Sequence, residues 1–496
     1  MKKLLIISSI LAVLAGAVSC DMNLRPAGTI DPDNALQTIA DAENFREGMY
    51  VLFRSTVGGS YASVDEIRSD LFHATSSFGN NGGTMYNWIQ TADDGDASTL
   101  WANAYYVIAD ANFFLQKSSE VNTSEWSEED RASLSVWRGE AYFLRAYYHM
   151  ELAEKFCLSY VGNEQSFGVP YVTVYNPTSD IAQYPTRGTL EHTFEMILGD
   201  LDSAAKYVTT PGSIGSDRIT SDAVTALRAR IALEMGDYST ALDMAESLIN
   251  RYPLTSGLES FRNMWFSDAK EESILQLYAS NIELGASYDY TYLGFNVDKQ
   301  QFQPYYLPEK WVIDLYEPSD IRFQTYFLDT TVAVAAGEKV PDIYVLYKFS
   351  GNPALRSGTS WNYQIQPKVF RIAEMYLIAA EASAMGAGAD PMEYVNRLRT
   401  NRGASSVTPS ADKTVMDIIM EERVREFIGE GFRIQDLKRM KYNLERGEAQ
   451  NPSTLYQPDI HQSFFKSYAD PKMLYPIPQA ELDANPNMAG EQNDQY

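Results

Sequence analysis

Chargeable side chains are densest between Val415 and Arg439, V-M-D-I-I-M-E-E-R-V-R-E-F-I-G-E-G-F-R-I-Q-D-L-K-R. Two chemistries fit Glu426 and Glu430. A pair of carboxylates facing a substrate could share acid and base duties, as in glycoside hydrolysis. Acids interleaved with arginines instead form ion networks that pin helices together. With Arg423, Arg425, Arg433 and Arg439 in the same stretch, the network is the expected use. The four histidines, His73, His149, His192 and His461, lack a metal-ligand spacing such as H-E-x-x-H. Cys157 lies among Leu152, Phe156 and Leu158 and is expected to be a buried apolar residue. Neither a metal nor a cofactor is expected, and the chain is not expected to be an enzyme.

Aromatic residues offer a different chemistry. The chain has 33 tyrosines and 7 tryptophans, amphipathic rings suited to stacking surfaces. Two stretches concentrate them. The polar, glycine-rich S-S-F-G-N-N-G-G-T-M-Y-N-W holds Tyr86 and Trp88 beside Asn80 and Asn81. In S-Y-D-Y-T-Y, Tyr288, Tyr290 and Tyr292 flank Asp289, and a period of two puts the three rings on one face of an extended strand. They are either a stacking platform with polar partners or an aromatic face packed onto the protein body. A formal charge of −26 argues against nucleic acid, whose phosphates demand lysine and arginine. Over a whole surface that charge suits basic peptides better than acidic glycans.

The elements that must position these residues are mostly helical. Met416, Met420, Val424, Phe427 and Ile428 recur at steps of four and three, an apolar stripe on one helix face. Asp412 is a candidate N-cap, and Gly429 and Gly431 end the helix before a shorter one from Phe432. Pairs Glu421–Arg425, Glu422–Arg425 and Arg423–Glu426 have helical spacing. Helices are also expected from Asp41, over Leu100–Lys117 and over Trp126–Phe156. In Thr220–Leu254, Ala229, Gly236, Ala241, Ala245 and Pro253 sit where a tetratricopeptide repeat places its small residues, turn and closing proline. Phe370–Thr400 repeats the theme loosely. The fold class expected is mostly α: tetratricopeptide-like helical pairs stacked into a single scaffold. Irregular, aromatic-rich stretches at about 55–97 and 260–360 would carry the binding face.

The N-terminus reads as an export signal over residues 1–19. Lys2 and Lys3 precede an apolar run too short to span a bilayer. Ala17-Val18-Ser19-Cys20 resembles a lipobox, with Ala17 where leucine is usual; Cys20 would be lipidated and anchor the chain. Residues 20–40 read as a tether and 41–496 as one domain.

The charged stretch, as E-E-R-x-x-E-F-x-G-E-G-F-R-x-x-D-L-K-R, resembles the C-terminal signature of the SusD/RagB family of outer-membrane nutrient-binding lipoproteins. Agreement continues in W-x-x-x-Y-x-x-I-x-x-x-N from Trp101, the G-V-P turn at Gly168, R-x-T-x-x-x-x-F-x-x-I-L-x-D-L from Arg187, and the terminal P-I-P-x-x-E-L-x-x-N-P-x-M. The resemblance implies a non-enzymatic, lipid-anchored cell-surface subunit at the outer membrane. It would bind an oligomeric nutrient, most often a glycan, and deliver it to a TonB-dependent SusC-like transporter. A RagB-like peptide cargo, a glycoside hydrolase and a pure protein-interaction scaffold are the alternatives. The residues expected to touch cargo are Tyr86, Trp88, Asn80, Asn81, Tyr288, Asp289, Tyr290 and Tyr292, chosen from the aromatic segments rather than from a family motif.

Overall fold

The structure, a computed structural model, describes residues 35–496 except 289, 290, 359, 389 and 463. The export signal, Cys20, Asp289 and Tyr290 lie outside the described residues. Helices dominate. The main ones are α1 (Ile39–Thr56), α2 (Ser60–Arg68), α3 (Gly95–Glu120), α4 (Glu128–Phe156), α5 (Leu190–Tyr207), α6 (Ser221–Glu234), α7 (Tyr238–Ile249), α8 (Leu258–Phe266), α9 (Ile372–Ala384), α10 (Pro391–Asn401), α11 (Val415–Phe427) and α12 (Arg433–Met440). Short polar side chains start most of them. Thr38, Asp94, Ser127, Thr189, Thr220 and Asp237 each accept a backbone N–H of the first turn. Helix α11 is capped by Thr414 rather than by Asp412. Thr414 and Asp417 exchange side chain-to-backbone bonds in a capping box, which needs the acid three residues after the cap.

Neighbouring helices pack in pairs: α3 on α4, α4 on α5, α6 on α7, and α9 on both α7 and α10. Buried Ala229, Ala241 and Ala245 line the α6–α7 pair, and Gly236 turns between them at φ 73°. Helix α9 is buried along almost its whole length, so it has no polar face to show. The terminal P-I-P segment closes the core: Tyr475, Ile477 and Met488 are buried in it, and Tyr475 packs 5.8 Å from Phe156. Arg187 ties several recognisable motifs together. Its guanidinium donates to the carbonyls of Gly168, Phe156 and Glu491 and to Asn493.

The small sheets fall mainly in the 260–360 region. Strand β1 (Phe72–Ala74) pairs antiparallel with β5 (Tyr306–Pro308), and β2 (Ser273–Gln276) with β8 (Lys368–Arg371). A four-stranded sheet runs β3 (Phe295–Asn296), β4 (Gln301–Phe302), β6 (Phe327–Ala333), β7 (Lys339–Leu346), with Phe295 opposite Phe302 and Phe327 opposite Leu346. Residues 55–97 are more ordered than their pattern suggests. Helix α2 starts just after Gly58 and Gly59, both at positive φ. Its apolar period is hidden because Asp65, Glu66 and Arg68 are buried along with Ala62 and Ile67.

Helix α11 is the hub. Buried Glu422 accepts from Arg322 Nη1 at 2.7 Å, Arg399 Nη1 at 2.8 Å and Arg425 Nη1 at 3.0 Å. Buried Glu426 accepts from Arg371 at 2.7 Å, Arg402 at 3.1 Å and Arg322 at 3.2 Å. Glu272 shares Arg371 and Arg402, and Glu430 takes Lys348 and Arg371. Glu426 and Glu430 are therefore structural acids, their lone pairs occupied by cations. The expected Glu421–Arg425 and Glu422–Arg425 pairs form at 3.1 and 3.0 Å. Arg423 instead turns to Asp436 on α12 at 2.7 Å, because Glu426 faces the arginine cluster. Gly429 and Gly431 adopt φ 82° and 89°, and the Glu66 carboxylate accepts both their N–H groups at 3.1 and 2.8 Å. A Cβ on Gly429 would lie 2.3 Å from the Phe349 ring.

Removing one acid from this cluster strands its cations. Glu426→Gln should lower the free energy of urea unfolding by about 3–5 kcal/mol, whereas Glu421→Gln, with a side chain 25% exposed, should cost less than about 1 kcal/mol. The network also sets a pH response. Burial alone would raise the Glu426 pKa, but Arg402, Arg371 and Arg322 outweigh it and hold the carboxyl far below its usual range; Glu422 and Glu430 are lowered likewise. Their stabilisation is complete above the ordinary carboxylate value of 4.5 and is lost as pH falls below it. Melting temperature should therefore drop steeply below about pH 4.5, and a flat profile from pH 6 to pH 3 would contradict the assignment.

Candidate functional site

The two aromatic stretches meet, but in the interior. Tyr86, Trp88, Tyr288 and Tyr292 are only 2%, 3%, 5% and 1% exposed. The Trp88 Nε1–H donates to the Arg68 carbonyl at 2.9 Å, and the Arg68 guanidinium lies 4.8 Å from its ring. The Arg446 guanidinium covers Tyr86 at 3.8 Å, and the Tyr86 Oη lies 3.0 Å from His461 Nδ1. Tyr288 stacks on Phe349 at 3.8 Å and Tyr292 on Phe72 at 4.9 Å. Tyr86, Trp88 and Tyr292 have no free surface face and Tyr288 reaches only the wall of a cavity, so for these four the surface platform gives way to its alternative, an aromatic face packed onto the body. For Tyr86 and Trp88 the reason is cationic, since Arg446 and Arg68 are themselves buried and use the rings as walls; Tyr288 and Tyr292 are covered by other rings.

Asn80 and Asn81 do remain at the surface. Asn80 takes a left-handed backbone at φ 64°. Asn81 Nδ2 donates to the Phe78 carbonyl at 2.6 Å, while its own carbonyl accepts the Tyr306 hydroxyl at 2.6 Å. Ser76 Oγ in the same loop accepts the Ala335 N–H at 3.1 Å, which ties the loop to the end of β6.

Four partly exposed rings lie on and beside that four-stranded sheet. Phe266 is 5.5 Å from Tyr347, Tyr347 is 6.2 Å from Trp361, and Trp361 is 4.8 Å from Phe295. The result is a continuous row of four rings, each partly accessible. The sheet holds one end, since Phe295 pairs with Phe302 and its N–H donates to Tyr363 Oη at 2.8 Å. Sequence inspection missed this row although a signal was present. Trp361 ends the polar, glycine-containing stretch R-S-G-T-S-W-N-Y, the same kind of segment as the one around Trp88. Composition does not tell which of two such segments folds inward.

A cavity of about 120 Å³ opens where the helical pairs meet α11 and α12. Its walls include Glu151, Glu154, Arg230, Glu234, Arg371, Arg439 and Tyr288. Burial, then the charges of Glu151 and Glu234, push the Glu154 carboxyl up to about 8 against the pull of Arg230. Most wall cations are committed to protein partners, as in the bidentate Arg230–Glu374 pair. The cavity thus belongs to the ion network. Among the described residues no group of histidine, cysteine, aspartate and glutamate could hold a metal ion.

Residues 31–233 match a family model described as "Starch-binding associating with outer membrane", and residues 288–496 match the model of the SusD family. The SusD-like protein P2 of Formosa agariphila is 25% identical over 96% of this chain and 97% of its own length. A crystal structure of a SusD superfamily protein from Bacteroides thetaiotaomicron superposes with a TM-score of 0.78 at 25% identity, over 92% of this chain and all of that one. Surface glycan-binding protein A from Bacteroides fluxus gives 0.68 at 20% identity, over 93% of this chain and all of that one.

Since Trp88 and Tyr292 are core residues, Trp88→Ala and Tyr292→Ala should each cost about 3–5 kcal/mol of stability in denaturant unfolding. Unchanged melting with either variant would show that these rings are solvent-facing after all.

Proposed function

The chain belongs to the SusD/RagB family, and from that premise we propose that it captures an oligomeric glycan at the cell surface and passes it to a transporter. The observation that carries this is the row Phe266, Tyr347, Trp361 and Phe295. Partly exposed rings in series match the apolar C–H faces of successive sugar residues, and each contact excludes water from both partners. Asn80 and Asn81 stand on the loop tied to the same sheet and supply amide donors and acceptors for hydroxyls. The family description of starch binding at the outer membrane and the glycan-binding relative support the cargo class.

In this proposal residues 1–19 are an export signal and Cys20 carries the lipid that holds the protein on the outer membrane. Among the described residues no helix is long and apolar enough to cross a membrane. The partner is a TonB-dependent SusC-like transporter. The protein binds and hands over; it does not cleave. The carboxylates most suggestive of acid–base chemistry, Glu426 and Glu430, are saturated with arginine and lysine, which leaves them no capacity to exchange protons with a substrate.

Calorimetric titration of the full-length protein in detergent against neutral and charged oligosaccharides tests the reading. Trp361→Ala should weaken binding of the cargo glycan at least about tenfold, with melting temperature nearly unchanged. Binding of tryptic peptides with no response to oligosaccharides would replace the glycan by a peptide. Glycan binding indifferent to Trp361→Ala and Tyr347→Ala would remove the ring row from the site.

A further inference from the structure

Arginine in this protein is almost always committed. Arg322, Arg371, Arg399, Arg402 and Arg425 share buried carboxylates, Arg145 forks onto Asp200, and Arg230 forks onto Glu374. Arg356 differs. Its guanidinium lies 4.8 Å over the Trp361 ring, in the middle of the ring row. Among the described residues it has no carboxylate within ion-pair distance and no side-chain hydrogen bond, and its Nε is buried without an acceptor. In a chain with 66 acidic residues against 40 lysines and arginines, acids to pair with are abundant. What sets Arg356 apart from the other two unpaired arginines among the described residues is its place, over Trp361 and beside Tyr347 and Phe295 on the proposed sugar surface.

The backbone around it is held in place. Asn352 Oδ1 accepts the Ala354 N–H at 2.9 Å and Asn352 Nδ2 donates to Asp268 at 2.8 Å. The Arg356 N–H closes a turn onto the Pro353 carbonyl at 3.2 Å, and Asn362 Nδ2 donates to the Leu355 carbonyl at 2.9 Å. The indole supports one side of the guanidinium and limits its rotamers. With Nε buried, the two terminal Nη groups of Arg356 are the part left for a ligand, and as a pair they fit a planar or tetrahedral oxyanion bidentately.

We propose that the cargo is an anionic glycan and that Arg356 reads its charged substituent, a carboxylate or a sulfate ester, while Trp361 and its neighbouring rings carry the sugar. This rests on the glycan-capture reading above and narrows it to a substrate class. The overall charge of −26 does not oppose it. At physiological ionic strength, exposed charges beyond about 8 Å are largely screened, so the group in contact decides selectivity.

The test uses full-length protein in detergent and four probes: tetragalacturonate for carboxylate, a carrageenan tetrasaccharide for sulfate, and maltotetraose and laminaritetraose as neutral glycans. Affinity for one anionic probe at least about tenfold above both neutral ones is expected. Arg356→Gln should abolish that preference and its dependence on salt, Arg356→Lys should restore part of it, and Trp361→Ala should weaken every bound glycan. Which anionic probe responds identifies the substituent. A neutral tetrasaccharide bound as tightly as the anionic ones, with Arg356→Gln without effect and Trp361→Ala still damaging, overturns the anionic selectivity and leaves glycan capture standing. Glycan binding insensitive to Trp361→Ala, or no binding by any probe, overturns both. If circular dichroism shows Trp361→Ala unfolded, Tyr347→Ala takes its place in the same comparison.

Discussion

Burying ions is the constraint around which this protein is built. Helix α11 takes Glu422 and Glu426 fully out of water, and each would be strongly destabilising alone. The chain answers with cations from distant segments: Arg322, Arg371, Arg399 and Arg402, with Lys348 added through Glu430. Each guanidinium spreads its donors over two or more acceptors, so losing one partner unbalances several bonds at once. Such a cluster forms only when all of these segments have arrived. It therefore links the helical pairs to the sheet region more specifically than apolar contact would.

The glycine turn follows from the same demand. Between α11 and α12 the backbone N–H groups of Gly429 and Gly431 point at Glu66, another buried acid, and φ values near 82° and 89° are needed to aim both at once. Burial pushes Glu66 up to about 7, with the two N–H bonds and Lys348 pulling back. Beyond the turn, α12 sends Arg433 to Asp70 and Lys438 to the Glu154 and Cys157 carbonyls. The signature is thus a junction whose charged residues are nearly all spent on holding the molecule together. In the proposed reading, binding falls to segments that carry little of this load, the loops and short strands around the four-stranded sheet.

Trp88 and Trp361 illustrate what decides between support and surface. Each follows a polar, glycine-containing run, and each has an arginine 4.8 Å from its ring. Arg68 beside Trp88 is fully buried and ion-paired to Asp65, so the indole serves as its wall. Arg356 beside Trp361 is partly exposed and unpaired, so the same pairing becomes a surface with spare hydrogen-bonding capacity. The difference lies in whether a carboxylate and a core were already waiting where the loop landed.

The sequence by itself determined the helical class, the family signature and the structural role of Glu426 and Glu430. Those properties rest on local spacing: apolar steps of three and four, acids set among arginines, glycines where a helix must stop. Thr414 rather than Asp412 as the cap of α11 was also legible locally, since only Thr414 has an acid three residues on. Only the tertiary structure decided which aromatic residues are accessible. Tyr86, Trp88, Tyr288 and Tyr292 are covered by Arg446, Arg68, Phe349 and Phe72, mostly distant in the chain, while Trp361 stays partly exposed. Accessibility is a property of what lies opposite a ring, and a one-dimensional pattern holds no information about the opposite wall.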